Sequence, residues 1–204
     1  MIRLTKTDGL WTVTIDRPDK ANSLTGAMLG ELVDIARSAT DARALILTGE
    51  GRVFSAGADL DEVRTELATS ELWVQLSGAI SVLPGLSVAA LNGTLAGGAM
   101  GMALACDLRI AVPAAKFFYP VMKLGYLPQP SDPGRMAALI GPARTKLILM
   151  GGQKITADEA YAFGLIDRIV APVDLMEMAR ALTVDSCAAA PDIAAGIAAL
   201  CSPD

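Results

Sequence analysis

Leu86-Ser87-Val88-Ala89-Ala90-Leu91, Asn92-Gly93-Thr94-Leu95-Ala96, Gly97-Gly98-Ala99-Met100-Gly101-Met102-Ala103-Leu104-Ala105-Cys106 and Asp107-Leu108-Arg109-Ile110-Ala111 follow one another without a linker. A short apolar run, a turn of small residues, a small-residue helix and a second apolar run spell strand, loop-to-helix junction and strand. Residues 89–106 are nearly uncharged over the length of a membrane span, and Gly93, Gly97 and Gly101 even keep GxxxG spacing. Asn92, Thr94 and four glycines weaken a spanning helix. The stretch therefore reads as the buried middle of a soluble α/β core, with no membrane partner. Asn92-Gly93-Thr94 fits a glycosylation sequon, which carries no meaning without a secretory leader.

Outward from this stretch the same rhythm continues. Residues 2–6 and 10–15 alternate as strands, and Asp8-Gly9 between them is a strong hairpin signal. After the turn cluster Asp16-Arg17-Pro18-Asp19-Lys20, Ser23 or Thr25 can cap a helix whose apolar positions Met28, Leu29, Leu32, Val33 and Ile35 keep roughly a 3.6 period. Residues 44–48 suit a buried strand, and Gly49, Gly51 and Gly57 bracket a loop into Asp59-Leu60-Asp61-Glu62, a helix start with acids in its first turn. Residues 70–82 read as a helix stopped by Pro84-Gly85. Residues 97–105 read as a further helix and 108–111 as a strand. The alternation predicts an α/β core around a largely parallel sheet with right-handed crossovers. Beyond residue 132 strands nearly vanish. Asp132-Pro133-Gly134 reads as an N-cap with Pro at N1, and Thr156-Ala157-Asp158-Glu159 as a capping box opening a helix over 157–163 that Gly164 closes. The last thirty residues read as helix with an Ala-rich end.

The 204 residues bound this to one large domain or one domain with an appendage, on a prior of about 150 residues per domain. With 52% hydrophobic and 19% charged residues the disordered classes are excluded, and with 4% aromatics the core rests on Ala, Leu, Val, Ile and nine Met. The absence of histidine removes the Ser-His-Asp triad, the Cys-His dyad, His-ligated zinc and the imidazole base together. No metal site is expected. A net charge of −5 with scattered Lys and Arg argues against nucleic acid. Cys106, Cys187 and Cys201 share no CxxC spacing and follow no apolar leader, so they are expected as reduced thiols of a cytoplasmic protein. No GxGxxG and no GxxxxGK[ST] occurs.

Two junctions carry the chemistry that remains. Phe54-Ser55-Ala56-Gly57-Ala58-Asp59-Leu60 and Leu95-Ala96-Gly97-Gly98-Ala99-Met100-Gly101 each enter a helix through small residues. Free backbone N–H groups there can hold an anion, and two converging on one oxygen make an oxyanion hole; equally, small residues simply permit close packing. These junctions, together with Asp16-Arg17-Pro18-Asp19-Lys20-Ala21-Asn22-Ser23-Leu24, Cys106-Asp107 and Ile155-Thr156-Ala157-Asp158-Glu159-Ala160 with Gly164-Leu165, resemble in order the enoyl-CoA hydratase/isomerase, or crotonase, superfamily. The resemblance implies a crotonase-like α/β fold of repeated ββα turns forming a spiral sheet surrounded by helices. It also implies acyl-CoA thioester substrates, no cofactor beyond that coenzyme A, and a homo-trimer or hexamer. Residue by residue, the amides of Ala58 and Gly98 would bind the thioester oxygen. Lys20, Ala21, Ala56, Asp59 and Leu60 would line the CoA path, with Gly97, Pro120 and Val121 at the substrate.

The departures narrow the reaction. The resemblance places the two glutamates of a hydratase at Gly101 and Val121, and neither residue moves a proton. Losing each acid–base group costs about 10²- to 10⁴-fold, so the expected chemistry is isomerase- or decarboxylase-like rather than hydration. Asp132 is the substitute carboxylate, with N-cap as its plain structural role; Tyr119 and Tyr126 flank Val121 as proton donors or as buried core residues. Asp59 and Asp107 match motif positions of structural character, Glu62 reads as a solvated first-turn acid and Cys106 as a small core residue. Family members usually continue through a further helical segment, whereas here the sequence runs to Asp204. That implies a core over 1–171 and a shortened helical region over 172–204. The competing expectation is a non-catalytic acyl-CoA-binding or subunit-partner protein.

Overall fold

The structure is a computed structural model that describes residues 1–63 and 67–201. It opens on β1 (Ile2–Thr7) and β2 (Leu10–Ile15), an antiparallel hairpin turned by Asp8 and Gly9 at φ 50° and 82°. Two left-handed residues in succession match the twist of the flanking strands, which is why an Asp-Gly pair serves there. Of the two cap candidates before α1 (Gly26–Ser38), Thr25 caps by accepting from the Met28 N–H, while the Ser23 hydroxyl faces Arg17 and Asp59. Three ββα turns follow. The first is β3 (Ala44–Gly49), β4 (Val53–Ser55), α2 (Leu60–Val63) and α3 (Leu72–Ser81). The second is β5 (Leu86–Leu91), β6 (Thr94–Ala96) and α4 (Met100–Ala105); the third is β7 (Leu108–Ala111), β8 (Lys116–Phe118) and α5 (Val121–Leu124). After them come α6 (Asp132–Leu149), β9 (Ile155–Thr156), α7 (Ala157–Phe163), β10 (Arg168–Ile169), α8 (Leu175–Ala188) and α9 (Pro191–Cys201).

Each ββα turn gives its first strand to one sheet and its second to another. The larger sheet runs β1-β2-β3-β5-β7-β10, parallel except at the opening hairpin, and the smaller runs β4-β6-β8-β9. The central strands β3 and β5 are covered on both faces, so they read as nearly continuous apolar runs rather than alternating ones. The sequence pattern missed β4, β6 and β8. With three residues apiece, they are too short to display a period of two, and they are recognised only by their parallel pairing with one another. The expected helix over 97–105 is a single 3-10 turn, Gly97–Ala99, running into α4. Residues 89–106 thus hold strand, turn and helix. Among the described residues no single helix is long and apolar enough to cross a membrane; α8 and α9 reach that length only together, bent by 114°.

Side chains hold the crossings. Asn92, in the turn between β5 and β6, accepts from the Gly49 N–H and donates to the carbonyls of Gly51 and Val53. Asn22, fully buried at φ 53°, donates to the Glu50 and Val53 carbonyls from the other side. Arg109 is buried on β7 and spends its guanidinium on the carbonyls of Leu165, Cys106 and Asp107, which ties β7 to the segment before β10. The capping box at Thr156 and Glu159 is present as read, and Gly164 ends α7 in the left-handed region at φ 87°. α6 is broken at Gly141, φ 77°, with Pro142 opening its second half.

Candidate active site

Parallel pairing of β4 with β6 lays the two small-residue junctions side by side. A Cβ at Gly57, φ +92°, would come within 2.9 Å of the Ala96 carbonyl, so only glycine allows this approach. Leu24 forms a bridge to Ala58: its N–H donates to the Gly57 carbonyl and its carbonyl accepts from the Asp59 N–H, both at 2.8 Å. A parallel bridge of this kind engages the neighbours of Ala58 and turns the N–H of Ala58 itself to the opposite side. That N–H has no acceptor among the described residues. Gly98 is the second residue of the 3-10 turn, where no intrahelical carbonyl exists for its N–H. Two amides without acceptors among the described residues, one from each junction, border the same cavity.

The cavity measures about 210 Å³. Ala56, Ala58 and Leu60 line it from the first junction, Gly97 and Gly98 from the second, and Pro120 and Val121 from the start of α5. Trp73 closes it behind Gly98, where a Cβ would stand 3.1 Å from the indole. The indole Nε1 donates to the Leu67 carbonyl at 2.8 Å, so the ring is fixed in that position. Leu60, Leu124 and Leu127 form an exposed apolar mouth. Trp73 was not singled out in the sequence. Its signal was a lone indole in a helix of small and aliphatic residues, which also describes a core residue.

Other sequence-named residues lie elsewhere. Lys20 is exposed on a 3-10 turn and Ala21 follows it at φ 51°, its carbonyl accepting from the Ala56 N–H at 3.0 Å. Neither lines the cavity, and nor does Asp59. The Asp59 carboxylate is buried against Arg17, 2.5 Å away, with Ser23 and the Asp61 N–H as further donors. The hydrogen bond from Arg17 first, then that from Asp61, holds its carboxyl below the ordinary range. Arg17 also escaped the sequence reading. Asp107 is structural as expected, accepting from both the N–H and hydroxyl of Ser87. Glu62 is not the solvated acid expected: its carboxylate accepts from the Gly26 N–H at 2.7 Å and so covers the N-terminus of α1. Cys106 is a buried core residue whose thiol burial pushes up to about 12.

Asp132 stands apart from the cap role its sequence suggests. It does not cap α6; Ser131 occupies the N-cap position and no side chain closes it. The Asp132 carboxylate is fully buried, accepts from the Tyr119 hydroxyl at 3.0 Å and from the Ser131 hydroxyl at 3.4 Å. A Cβ built at Gly101 would stand 2.6 Å from its Oδ1. The carboxylate therefore occupies the space that any side chain at position 101 would need. Burial pushes its carboxyl up to about 6, against the hydrogen bonds and the nearby Arg135. Tyr119 is buried and lines the cavity; its phenol is pushed up, chiefly by burial and then by Asp132. Tyr126 is not a core residue: it is 40% exposed at the mouth.

Comparison with known proteins adds a family. Residues 5–200 match the family model described as enoyl-CoA hydratase/isomerase. The Mycobacterium tuberculosis protein named "Probable enoyl-CoA hydratase echA6" is 33% identical over 171 residues, covering 83% of this chain and 70% of that one. The 4-chlorobenzoyl coenzyme A dehalogenase-1 of an Arthrobacter species is 33% identical over 198 residues, covering 89% and 71%. Among solved structures, an enoyl-CoA hydratase from Bacillus anthracis superposes with a TM-score of 0.91 at 29% identity, covering 97% of this chain and 81% of that one.

Proposed function

The chain belongs to the enoyl-CoA hydratase/isomerase family, and from that premise we propose that it is an acyl-CoA enzyme that stabilises a thioester enolate between the amides of Ala58 and Gly98. The observation that carries the reading is the pair of amides without acceptors on one small apolar cavity. Charge develops on the thioester oxygen as the enolate forms. Fixed donors aimed at that oxygen act without reorganising, contributing on the order of 3 kcal/mol each. Lys20, Ala21, Ala56, Asp59 and Leu60 mark the coenzyme path, with the acyl group against Gly97, Pro120 and Val121. Coenzyme A arrives as part of the substrate, and the active form is a trimer or hexamer.

The reaction is isomerase- or decarboxylase-like. Hydration needs one group to activate water and another to protonate the α-carbon, and Gly101 and Val121 supply neither. Loss of CO₂ from a malonyl-type thioester delivers the enolate with no base at all. Double-bond isomerisation needs one carboxylate, and the buried Asp132 beside Gly101 reaches the cavity through its hydrogen bond from the lining Tyr119. The test is a mass-spectrometric turnover screen with crotonyl-, 3-enoyl-, methylmalonyl- and saturated acyl-CoAs, run on the native chain, Gly98→Pro and Gly98→Ala. Proline removes the amide donor, whereas alanine retains it and presses on Trp73. Decarboxylation or isomerisation that falls at least a hundredfold further in Gly98→Pro than in Gly98→Ala supports the reading; equal turnover in folded Gly98→Pro and native protein refutes it. The non-acidic Gly101 and Val121 also favour a second reading, an acyl-CoA-binding partner protein, which tight coenzyme A binding without any product would establish.

A further inference from the structure

The Tyr119 hydroxyl lies between two environments. Tyr119 lines the cavity, and its oxygen donates to Asp132 Oδ2 at 3.0 Å and accepts at 3.3 Å from the N–H of Gln129, itself a lining residue. Asp132 does not itself line the cavity. On its far side its other oxygen meets the hydroxyl of Ser131, a half-buried residue that is held in turn by Arg135 and Ser77 at 3.2 and 3.3 Å. A series of exchangeable groups therefore runs from the cavity-lining Tyr119 through Asp132 to the half-buried Ser131 at the start of α6. Resting on the enolate reading above, we propose that Tyr119 is the catalytic acid that protonates the enolate carbon, resupplied by Asp132 through Ser131.

The step balances. In a malonyl-type thioester the bond from C2 to the carboxylate breaks, CO₂ leaves, and its electron pair forms the enolate. Tyr119 O–H then breaks as C2–H forms and the thioester carbonyl is restored. The Asp132 proton passes to the phenolic oxygen in the same event, and one solvent proton returns to Asp132 by way of Ser131. Burial makes an isolated tyrosinate costly at this position, so Tyr119 gives up its proton only as another arrives. The relay therefore needs Asp132 protonated. Above its titration the ionised carboxylate instead draws the phenol hydrogen toward itself, away from substrate. Arg135 on the same helix and Tyr119 are the titratable groups acting on Asp132. From α4 the facing residue is Gly101, and α3 contributes the hydroxyl of Ser77 through Ser131.

The experiment is decarboxylation of methylmalonyl-CoA in D₂O, reading the configuration of deuterium at C2 of the propionyl product. The native protein is expected to give one enantiomer at acidic pH, with the excess eroding as pH rises through about 6. Tyr119→Phe and Asp132→Asn, each checked for a cooperative melting transition, are expected to give racemic product at every pH. Racemic product from the native protein, or an undiminished excess in folded Tyr119→Phe, overturns the relay while leaving the enolate reading intact. If Tyr119→Phe fails to fold, the native pH profile and Asp132→Asn decide alone: an excess constant with pH and retained in Asp132→Asn overturns it. Absence of any turnover in the native protein removes the enolate reading and the relay with it.

Discussion

Asp132→Asn is expected to make the protein more stable at neutral pH, and the amount follows from the burial of the carboxyl. The side chain is fully buried, and its titration is moved from 3.8 to about 6 by the loss of solvation. The folded state therefore binds a proton more tightly than the unfolded chain does. Between about pH 4 and 6 the folded state keeps the proton while the unfolded chain releases it, so this residue's contribution to stability falls as pH rises and is fully lost above about 6. At 1.36 kcal/mol for each pH unit, the difference amounts to about 3 kcal/mol at pH 7. Asparagine keeps the shape. It can accept from Tyr119 through its oxygen and donate to Ser131 through its nitrogen, so no buried partner is stranded. Urea unfolding of both proteins from pH 4 to pH 8 cancels the titration of every other carboxylate in the difference. The variant should match the native protein near pH 4 and exceed it by up to about 3 kcal/mol at pH 7, roughly 6–12 °C in melting temperature for a chain of this size. A variant less stable at pH 7, or a difference that does not grow with pH, would refute a carboxyl held at raised pKa by burial.

Two further outcomes test the supports around the site. Arg17→Met strands the buried Asp59 carboxylate. Because Asp59 is held below the ordinary range, its stabilisation is present above the unfolded pKa and lost as pH falls through the folded one. Removing Arg17 should cost about 1–3 kcal/mol at pH 7 and shift acid unfolding to higher pH, measured by circular dichroism; an unchanged acid midpoint would show the pair to be immaterial. Gly57→Ala forces a Cβ onto a left-handed backbone 2.9 Å from the Ala96 carbonyl. It should cost roughly 1–2 kcal/mol in backbone strain alone and weaken acyl-CoA binding at least tenfold by calorimetry, since it parts the two junctions; full affinity would place the binding amides elsewhere.

How far the sequence led depends on the range of the force involved. The hairpin, the Thr156 capping box and the apolar strands of the larger sheet rest on contacts among near neighbours or on burial of a whole run, and such signals are written locally. The smaller sheet is not. Its three-residue strands β4, β6 and β8 exist because distant segments pair, and no window of sequence holds that information. The site divides the same way. Small residues announced both junctions, whereas Trp73 closing against Gly98, the Arg17 to Asp59 pair and the Glu62 bond to α1 join residues far apart in the chain. The reading of Asp132 as a cap failed for a related reason. Asp followed by Pro is a local cap pattern, but the cavity left by Gly101 on another helix draws the carboxylate inward instead.

That exchange between α4 and α6 bears on what the chain can still do. Glycine at 101 does not simply delete a functional group; it vacates a buried space that Asp132 fills from a different element, at a 2.6 Å approach no side chain at 101 would permit. A buried carboxylate is an expensive filler, and an asparagine there, which keeps Tyr119 and Ser131 partnered, would stabilise the fold. Destabilising groups kept in a core beside a cavity lined by free amides are what catalytic demand produces. Asp132 joined to Tyr119 is thus the contact whose substitution best separates the proposed enzyme from a passive acyl-CoA binder. The enolate would rest on backbone donors from two junctions, and its proton would come from a third segment, so bond cleavage and proton delivery are separable by substitution. On the proposed reading, such a division of labour suits reactions in which the enolate forms without a base.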